Sequence, residues 1–227
     1  MEGSLINKDA YFKLIQHLKP SNITLVAVSK TKPVAAIEEL YALGQRDFGE
    51  NYVQELVDKQ AQLPKDIHWH FIGHLQTNKV KYIAPFVQLI HGVDSFKLLV
   101  EINKQAAKHH RIIDVLLQLY IAQEETKFGL DNHELLTLLE YYESQKEELK
   151  HIRIRGLMGM SSFTANNLQL RHEFEQLRNT FNHLSKSNFL FQSSFDTCSI
   201  GMSSDYETAI AAGSTLVRIG SLLFGDR

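Results

Sequence analysis

Several features that mark common protein classes are scarce or missing in this 227-residue sequence. It has one cysteine, Cys198, so an intrachain disulfide is excluded and a reducing cytoplasm is the expected compartment. A net charge of −2 provides no basic field for nucleic acid or an anionic membrane surface. No apolar run approaches membrane-spanning length, and residues 1–9 lack the layout of a signal peptide. We therefore expect a cytoplasmic protein with neither a nucleic-acid nor a membrane partner.

A metal site is also poorly supported. His68, His70 and His74 cluster around Trp69, but no carboxylate or cysteine completes a convincing ligand set. Histidines at strand ends more often form hydrogen bonds, so we expect no metal. The single Cys198 lies in an apolar stretch and is expected to be a packed thiol.

What the sequence does contain is a regular alternation of strand and helix patterns. With 44% hydrophobic and 22% charged residues and no linker, it suits one domain over residues 1–227. A helix at 8–18, stopped by Pro20, is expected to pack outside the sheet. Strands are predicted at 23–29, 47–49, 68–72, 88–92, 112–121, 152–157, 194–198 and 215–219. Helices are predicted at 33–43, 52–62, 78–86, 96–109, 132–148, 167–186 and 205–212.

These elements form eight β-then-α units, the last one truncated. Such alternation predicts parallel strands with crossover helices, and eight units in this length favour a closed (β/α)8 TIM-type barrel. An open doubly wound sheet is the alternative. No Gly-x-Gly-x-x-Gly motif follows the first strand, which weakens the dinucleotide-binding version of that alternative.

Lys30 lies where the first strand opens into a loop, in the stretch Leu25–Pro33. An amine beside apolar walls is favoured in its neutral, nucleophilic form and suits Schiff-base chemistry. A solvated lysine at a strand end is the alternative that this local pattern leaves open.

Two small-residue loops follow the last two predicted strands, at 199–205 and 218–225. In TIM-type barrels this is the customary place for phosphate, where glycine backbone and helix N-termini favour an anion. Ser203 and Ser221 supply hydroxyl donors. Asp205 would repel a phosphate, so we expect it to cap the following helix and point away.

The sequence resembles a known family in six ordered blocks that span nearly the whole chain. The blocks are Val26–Pro33, Phe48–Glu55, Trp69–Lys79, Gly156–Met158, Gly201–Asp205 and Val217–Gly225. Together they look like the pyridoxal 5′-phosphate (PLP) homeostasis proteins, the YggS or PROSC family. That resemblance implies a barrel similar to the N-terminal domain of alanine racemase, of PLP fold type III.

The resemblance also implies roles for individual residues. Lys30 matches the lysine that forms a Schiff base with PLP, and Arg218 matches the residue that faces the pyridine nitrogen. Lys32 and Lys127 match basic positions near the pocket. The remaining residues assigned to the cofactor site are two in strand-end loops and the members of the phosphate cradle and its lining: Asn51, His70, Ser199, Gly201, Met202, Ser203, Gly220 and Ser221.

An arginine at the ring nitrogen has consequences for function. It offers only donors, keeps that nitrogen unprotonated and weakens the ring as an electron sink. The sequence ends shortly after the second phosphate loop, so we expect no second domain to bring the racemase tyrosine. The resemblance thus implies a monomeric, non-enzymatic PLP carrier that supplies apo PLP-dependent enzymes. The alternative is a weak amino-acid racemase or another Schiff-base enzyme.

Overall fold

The fold is a closed barrel of parallel strands in sequence order. The computed structural model describes residues 4–122 and 128–225. In this part of the chain, each strand pairs with the next, and the last pairs with the first. The strands are β1 (Thr24–Val28), β2 (Asp47–Glu50), β3 (His68–Phe71), β4 (Leu89–Val93), β5 (Ile113–Tyr120), β6 (Ile152–Met160), β7 (Thr197–Ser199) and β8 (Leu216–Ile219).

Helices surround this barrel and connect its strands. They are α1 (Lys8–Leu18), α2 (Val34–Ala42), α3 (Val53–Gln62), α4 (Val80–Ile83), α5 (Phe96–Lys108), α6 (Asn132–Ser144), α7 (Asn167–Lys186), α8 (Tyr206–Ala211) and α9 (Ser221–Phe224). The predicted (β/α)8 TIM-type barrel is therefore confirmed. No helix in the described ranges combines the length and apolar character needed to cross a membrane.

Local sequence signals explain several helix ends. Ser95 accepts a hydrogen bond from the Leu98 N–H, and Asp131 forms a reciprocal capping box with Glu134, so α5 and α6 begin where orphan N–H groups find acceptors. Pro20 follows α1 and lies in a short 3-10 turn, Lys19–Ser21. Most predicted element boundaries lie within two residues of the observed ones.

Four elements of the structure differ from the prediction, in addition to β6, which extends to Met160 beyond the predicted end at residue 157. The helix predicted at 78–86 is a 3-10 turn, Thr77–Lys79, followed by the short α4, and the one predicted at 132–148 ends at Ser144. The strand predicted at 194–198 begins only at Thr197, as β7. Phe195 does not enter the sheet, because it stacks on Phe189 with ring centroids 4.2 Å apart. α9 follows β8, where no helix was predicted.

Two apolar regions organise the core. The larger lies between the strands and the surrounding helices, where Ile37, Ile102 and Phe174 are fully buried. The smaller comprises Val26, Leu89, Leu116, Met158 and Leu216. Buried polar side chains lie beside it on β3, β4, β7 and β8, and these carry the chemistry described below.

Gly156 shows how closely two strands approach. Its φ is +153°, and a Cβ added there would lie 1.8 Å from the Thr197 carbonyl oxygen of β7. Gly44 also has a positive φ, +102°, but a Cβ there would meet nothing within 4 Å. A side chain at Gly44 would therefore suffer backbone strain alone, whereas one at Gly156 would suffer both strain and steric overlap.

We expect Gly156→Ala to destabilise the fold by about 4 kcal/mol or more, because strain and overlap add. Gly44→Ala, the matched control, should cost about 1 kcal/mol from its backbone conformation alone. Urea unfolding of both variants measures the difference. Equal losses would contradict the close approach of β6 and β7.

Candidate functional site

A cavity of about 700 Å³ opens at the carboxyl ends of the strands. Parallel barrels place their functional groups at this end, where the βα loops converge. The lining includes these residues assigned from the sequence: Lys30, Lys32, Asn51, Met202, Ser203, Arg218, Gly220 and Ser221. Residues far apart in sequence are thus brought to one site.

Lys30 reaches this cavity from the loop after β1. It is half-buried, and the next residue, Thr31, has a φ of +64°. A β-branched residue in the left-handed region is costly, so surrounding contacts must hold this turn in place. Lys32 also lines the cavity, and its Nζ donates to the carbonyl oxygens of Phe224 and Gly225, each at 3.1 Å.

Arg218 enters the cavity from β8, the strand beside β1. It is almost fully buried, and it donates to the Ser199 and Gly159 carbonyl oxygens at 2.9 and 3.0 Å. Burial lowers its pKa to about 10, while the charge of Asp205 opposes that shift. The guanidinium therefore stays cationic at neutral pH and presents only hydrogen-bond donors.

The two predicted phosphate loops meet at one side of the cavity. The Gly220 N–H donates to Ser203 Oγ at 3.1 Å, which joins the loop after β7 to the loop after β8. A hydroxyl that accepts one hydrogen bond still has its own proton to donate. Ser221 begins α9, whose first N–H groups have no partner within the helix.

Asp205 does not cap α8 as predicted. It occupies the position before the helix, but its side chain makes no capping hydrogen bond. Instead, its two carboxylate oxygens accept from the Met202 N–H at 2.6 Å and from Ser161 Oγ at 2.9 Å. Asp205 therefore holds the loop after β7 together through hydrogen bonds within and beside it. Because the Met202 N–H already donates to Asp205, it does not point to a phosphate.

Asn51 contributes an unsatisfied polar atom. It follows β2 and lines the cavity, and its buried Oδ1 has no hydrogen-bond partner among the described residues. A buried acceptor without a partner is costly, so a donor supplied by a ligand would be favourable here. The amine, guanidinium, hydroxyls and amide together suit a small phosphorylated compound with a carbonyl group.

Three of the assigned residues are not part of the cavity lining: His70, Ser199 and Gly201. Gly201 has a φ of +96°, and a Cβ there would come within 2.6 Å of the Ala209 Cβ, so it is required for the path of the loop. His70 and Ser199 are buried in the barrel, where they belong to a chain of hydrogen bonds.

These hydrogen bonds run from Arg218 to Asp47 across five strands, β8, β7, β4, β3 and β2. Arg218 donates to Ser199 Oγ, which lies 3.2 Å from His91 Nδ1. His91 Nε2 lies 2.9 Å from His70 Nδ1, and His70 Nε2 lies 3.0 Å from Asp47 Oδ1. Because Arg218 can only donate and a carboxylate only accepts, one direction satisfies every member.

That direction assigns neutral tautomers with the proton on Nε2 to both histidines. His91 is fully buried, and desolvation lowers its pKa well below the usual 6.5, with the nearby Arg218 cation acting in the same direction. The neutral His91 accepts a hydrogen bond from the Ser199 hydroxyl. This orients the hydroxyl so that its oxygen accepts the hydrogen bond from the Arg218 guanidinium.

Sequence reasoning missed His91. It lies at the centre of β4, where one polar residue among apolar neighbours is a weak signal. The parallel pairing of β3 and β4 would have placed it near His70, but only with the register known. Lys127, also assigned to the pocket region, lies outside the described residues.

The remaining predictions concern metal and thiol. Within residues 4–122 and 128–225, no group of three or more histidine, cysteine, aspartate or glutamate side chains could hold a metal ion. Cys198 is fully buried as predicted, and burial raises its pKa to about 11. It is therefore a packed, unreactive thiol.

Comparison with known proteins agrees with this geometry. The family described as "Alanine racemase, N-terminal domain" matches residues 9–227. The alanine racemase from Streptomyces coelicolor A3(2) shares the fold, with a TM-score of 0.74, 16% identity, and coverage of 94% of this chain and 56% of that one. The class is thus the racemase-type barrel.

More similar proteins narrow the class. The pyridoxal phosphate homeostasis protein of Aquifex aeolicus is 41% identical over 89% of this chain and 86% of its own. That of Escherichia coli K12 is 40% identical over 92% and 87%. PipY of Synechococcus elongatus, solved with PLP bound, has a TM-score of 0.84 and 35% identity, covering 96% and 99%. The chain therefore belongs to the family of pyridoxal phosphate homeostasis proteins.

The buried neutral His91 generates a pH prediction. Below pH 6.5 the unfolded chain binds a proton at this position that the folded chain does not, so stability falls as pH falls. We expect His91→Gln to reduce the slope of unfolding free energy against pH by up to about 1.4 kcal/mol per pH unit.

The measurement is urea unfolding at several pH values between 5 and 7. His133→Gln, at an exposed histidine on α6, is the matched control and should retain the slope of the unsubstituted protein. An unchanged slope for His91→Gln would contradict a neutral His91 in the fold.

Proposed function

We propose that this protein binds PLP in the cavity at the carboxyl ends of the strands and holds it as a Schiff base on Lys30. The observation that carries this proposal is that Lys30, in the loop after β1, and Arg218, on the adjacent strand β8, line one cavity together with Ser203 and Ser221. The family relationship and the PLP-bound PipY structure support the same ligand.

Each end of the ligand has a matching group. The Ser203 and Ser221 hydroxyls and the start of α9 would receive the phosphate. Arg218 would donate to the pyridine nitrogen, and Asn51 Oδ1 would accept from a ligand donor. The Lys30 amine would attack the aldehyde carbon, a C=N bond forms, and the carbonyl oxygen leaves as water.

We further propose that the protein acts in PLP homeostasis and cofactor supply to apo PLP-dependent enzymes, without robust catalysis. Arg218 keeps its proton at neutral pH and so disfavours protonation of the ring nitrogen that a strong electron sink requires. The described lining offers lysine amines and serine hydroxyls, and includes no tyrosine, histidine, aspartate or glutamate. Reversible retention of the aldehyde is the chemistry that these groups favour.

The first test is trapping of the lysine. Purified protein with PLP should show a visible absorbance band that disappears on borohydride reduction, leaving a pyridoxyl-phosphate mass on the Lys30 peptide. Lys30→Ala should lose both signals, because the amine is missing. Lys104→Ala, at an exposed lysine on α5, is the control and should retain them.

A trapped mass on another lysine, or no modification after PLP is added, would contradict the assignment of Lys30. If only a different phosphorylated aldehyde or ketone were trapped there, the site would be that of a Schiff-base lyase or aldolase.

The second test separates a carrier from an enzyme. We expect the PLP-loaded protein to interconvert alanine enantiomers far below the usual enzymatic range of about 1 to 1000 per second, because the described cavity provides no pair of dedicated bases. Chiral chromatography of alanine over time measures this rate, with an authentic alanine racemase as the positive control. Turnover within that range would favour the racemase alternative.

A further inference from the structure

A buried lysine with two glutamates lies beneath the turn that carries Lys30. Lys59, on α3, is 5% exposed, and Glu50, at the end of β2, is completely buried. Lys59 Nζ donates to Glu50 Oε1 at 2.8 Å, to Glu55 Oε1 at 2.7 Å and to the Ser29 carbonyl oxygen at 2.7 Å. An ammonium has three protons, so each is assigned to an acceptor.

The same three side chains hold the backbone on both sides of Lys30. Before it, Ser29 Oγ donates to Glu50 Oε1 at 2.6 Å, while the Ser29 carbonyl accepts from Lys59. After it, the Thr31 N–H donates to Glu55 Oε1 at 2.6 Å. We call Glu50, Glu55 and Lys59 the turn cluster.

The turn needs such support because of its conformation. Thr31 has a φ of +64°, a region that β-branched residues avoid. Strained backbone of this kind persists only where surrounding contacts over-determine it, and it concentrates at functional sites. The two hydrogen bonds from residues 29 and 31 to the carboxylates, with Lys59 between them, provide those contacts.

The cluster is also expensive to bury, which argues against a role in general stability. Burial raises the pKa of Glu50, although Lys59 and Ser29 oppose that shift. Glu50 Oε2 has no hydrogen-bond partner among the residues described. Buried ion pairs often stabilise a fold no better than apolar side chains. We therefore attribute to this cluster the role of fixing the conformation of the turn at residues 29–31.

We infer that Lys59 is a positioning residue that, through Glu50 and Glu55, fixes the strained turn and so directs the Lys30 amine into the cavity. Lys59 is not among the lining residues, so it acts through the turn and not on the ligand. This inference rests on the proposed Schiff base at Lys30.

The experiment compares two ligands that differ only at the reacting carbon. PLP carries an aldehyde, whereas pyridoxamine 5′-phosphate carries an amine and forms no Schiff base. Lys59→Met should raise the dissociation constant for PLP about tenfold or more, equal to about 1.4 kcal/mol, and that for pyridoxamine 5′-phosphate less than about twofold. It should also slow the appearance of the visible band.

A second variant guards against misfolding. Glu55→Ala keeps the buried Glu50–Lys59 pair but removes the acceptor of the Thr31 N–H, so it should shift PLP binding in the same direction by a smaller factor. Arg155→Met is the matched control, because it breaks ion pairs with Asp114 and Asp196 near the start of β6. It should lower Tm without changing the ratio of the two dissociation constants.

A double-mutant cycle tests the strain without any ligand. Thr31→Gly should raise Tm in the otherwise unsubstituted protein, because glycine adopts this conformation readily. The increase should be smaller when Lys59→Met is also present, since the released turn no longer needs the left-handed conformation. Equal increases in both backgrounds would overturn the inference.

Two binding outcomes overturn it as well: equal changes for both ligands in Lys59→Met and Glu55→Ala, or changes no different from those of Arg155→Met. Failure of the proposed function looks different. In that case the unsubstituted protein itself shows no borohydride-trapped mass on Lys30, and the inference falls with it.

Discussion

The site depends on the parallel pairing of β8 with β1. This pairing closes the barrel and places Val26 opposite Arg218, so that Lys30, four residues further along, and Arg218 line one cavity despite their separation in sequence. A closed barrel removes free sheet edges, and the carboxyl ends of its parallel strands all lie at the same end of the barrel. The groups that line the cavity come from several strands and from the loops after them, so they meet only when the barrel is closed.

Closure also imposes a cost, since it buries a guanidinium inside the sheet. The chain from Arg218 through Ser199, His91 and His70 to Asp47 satisfies one donor after another until it reaches a carboxylate. Removing any inner member would leave a buried polar atom without its partner, which costs more than a typical hydrogen bond contributes. A polar interior is thus compatible with stability only because every hydrogen bond runs in one direction from cation to anion.

The fold was largely predictable, and the reason is periodicity. Alternating strand and helix patterns report burial locally, and signals such as Ser95 and Asp131 mark helix starts. Of the residues assigned to the site, Lys30, Arg218 and Ser203 line the cavity, whereas His70 and Ser199 lie behind it. That difference depends on strand register and on the direction in which each side chain points. A shift of one residue reverses that direction, and the local sequence pattern does not encode the register.

The sequence by itself determined the order of elements, the barrel class, the lysine that follows the first strand and the small-residue loops after the last two strands, because neighbouring residues encode each of these features. Only the tertiary structure decided which polar groups meet. Asp205 bonds within its own loop, His91 completes the buried chain, and Lys59 reaches the turn beside Lys30. Those partners are distant in sequence or project from different elements, so their contacts exist only once the strands have closed.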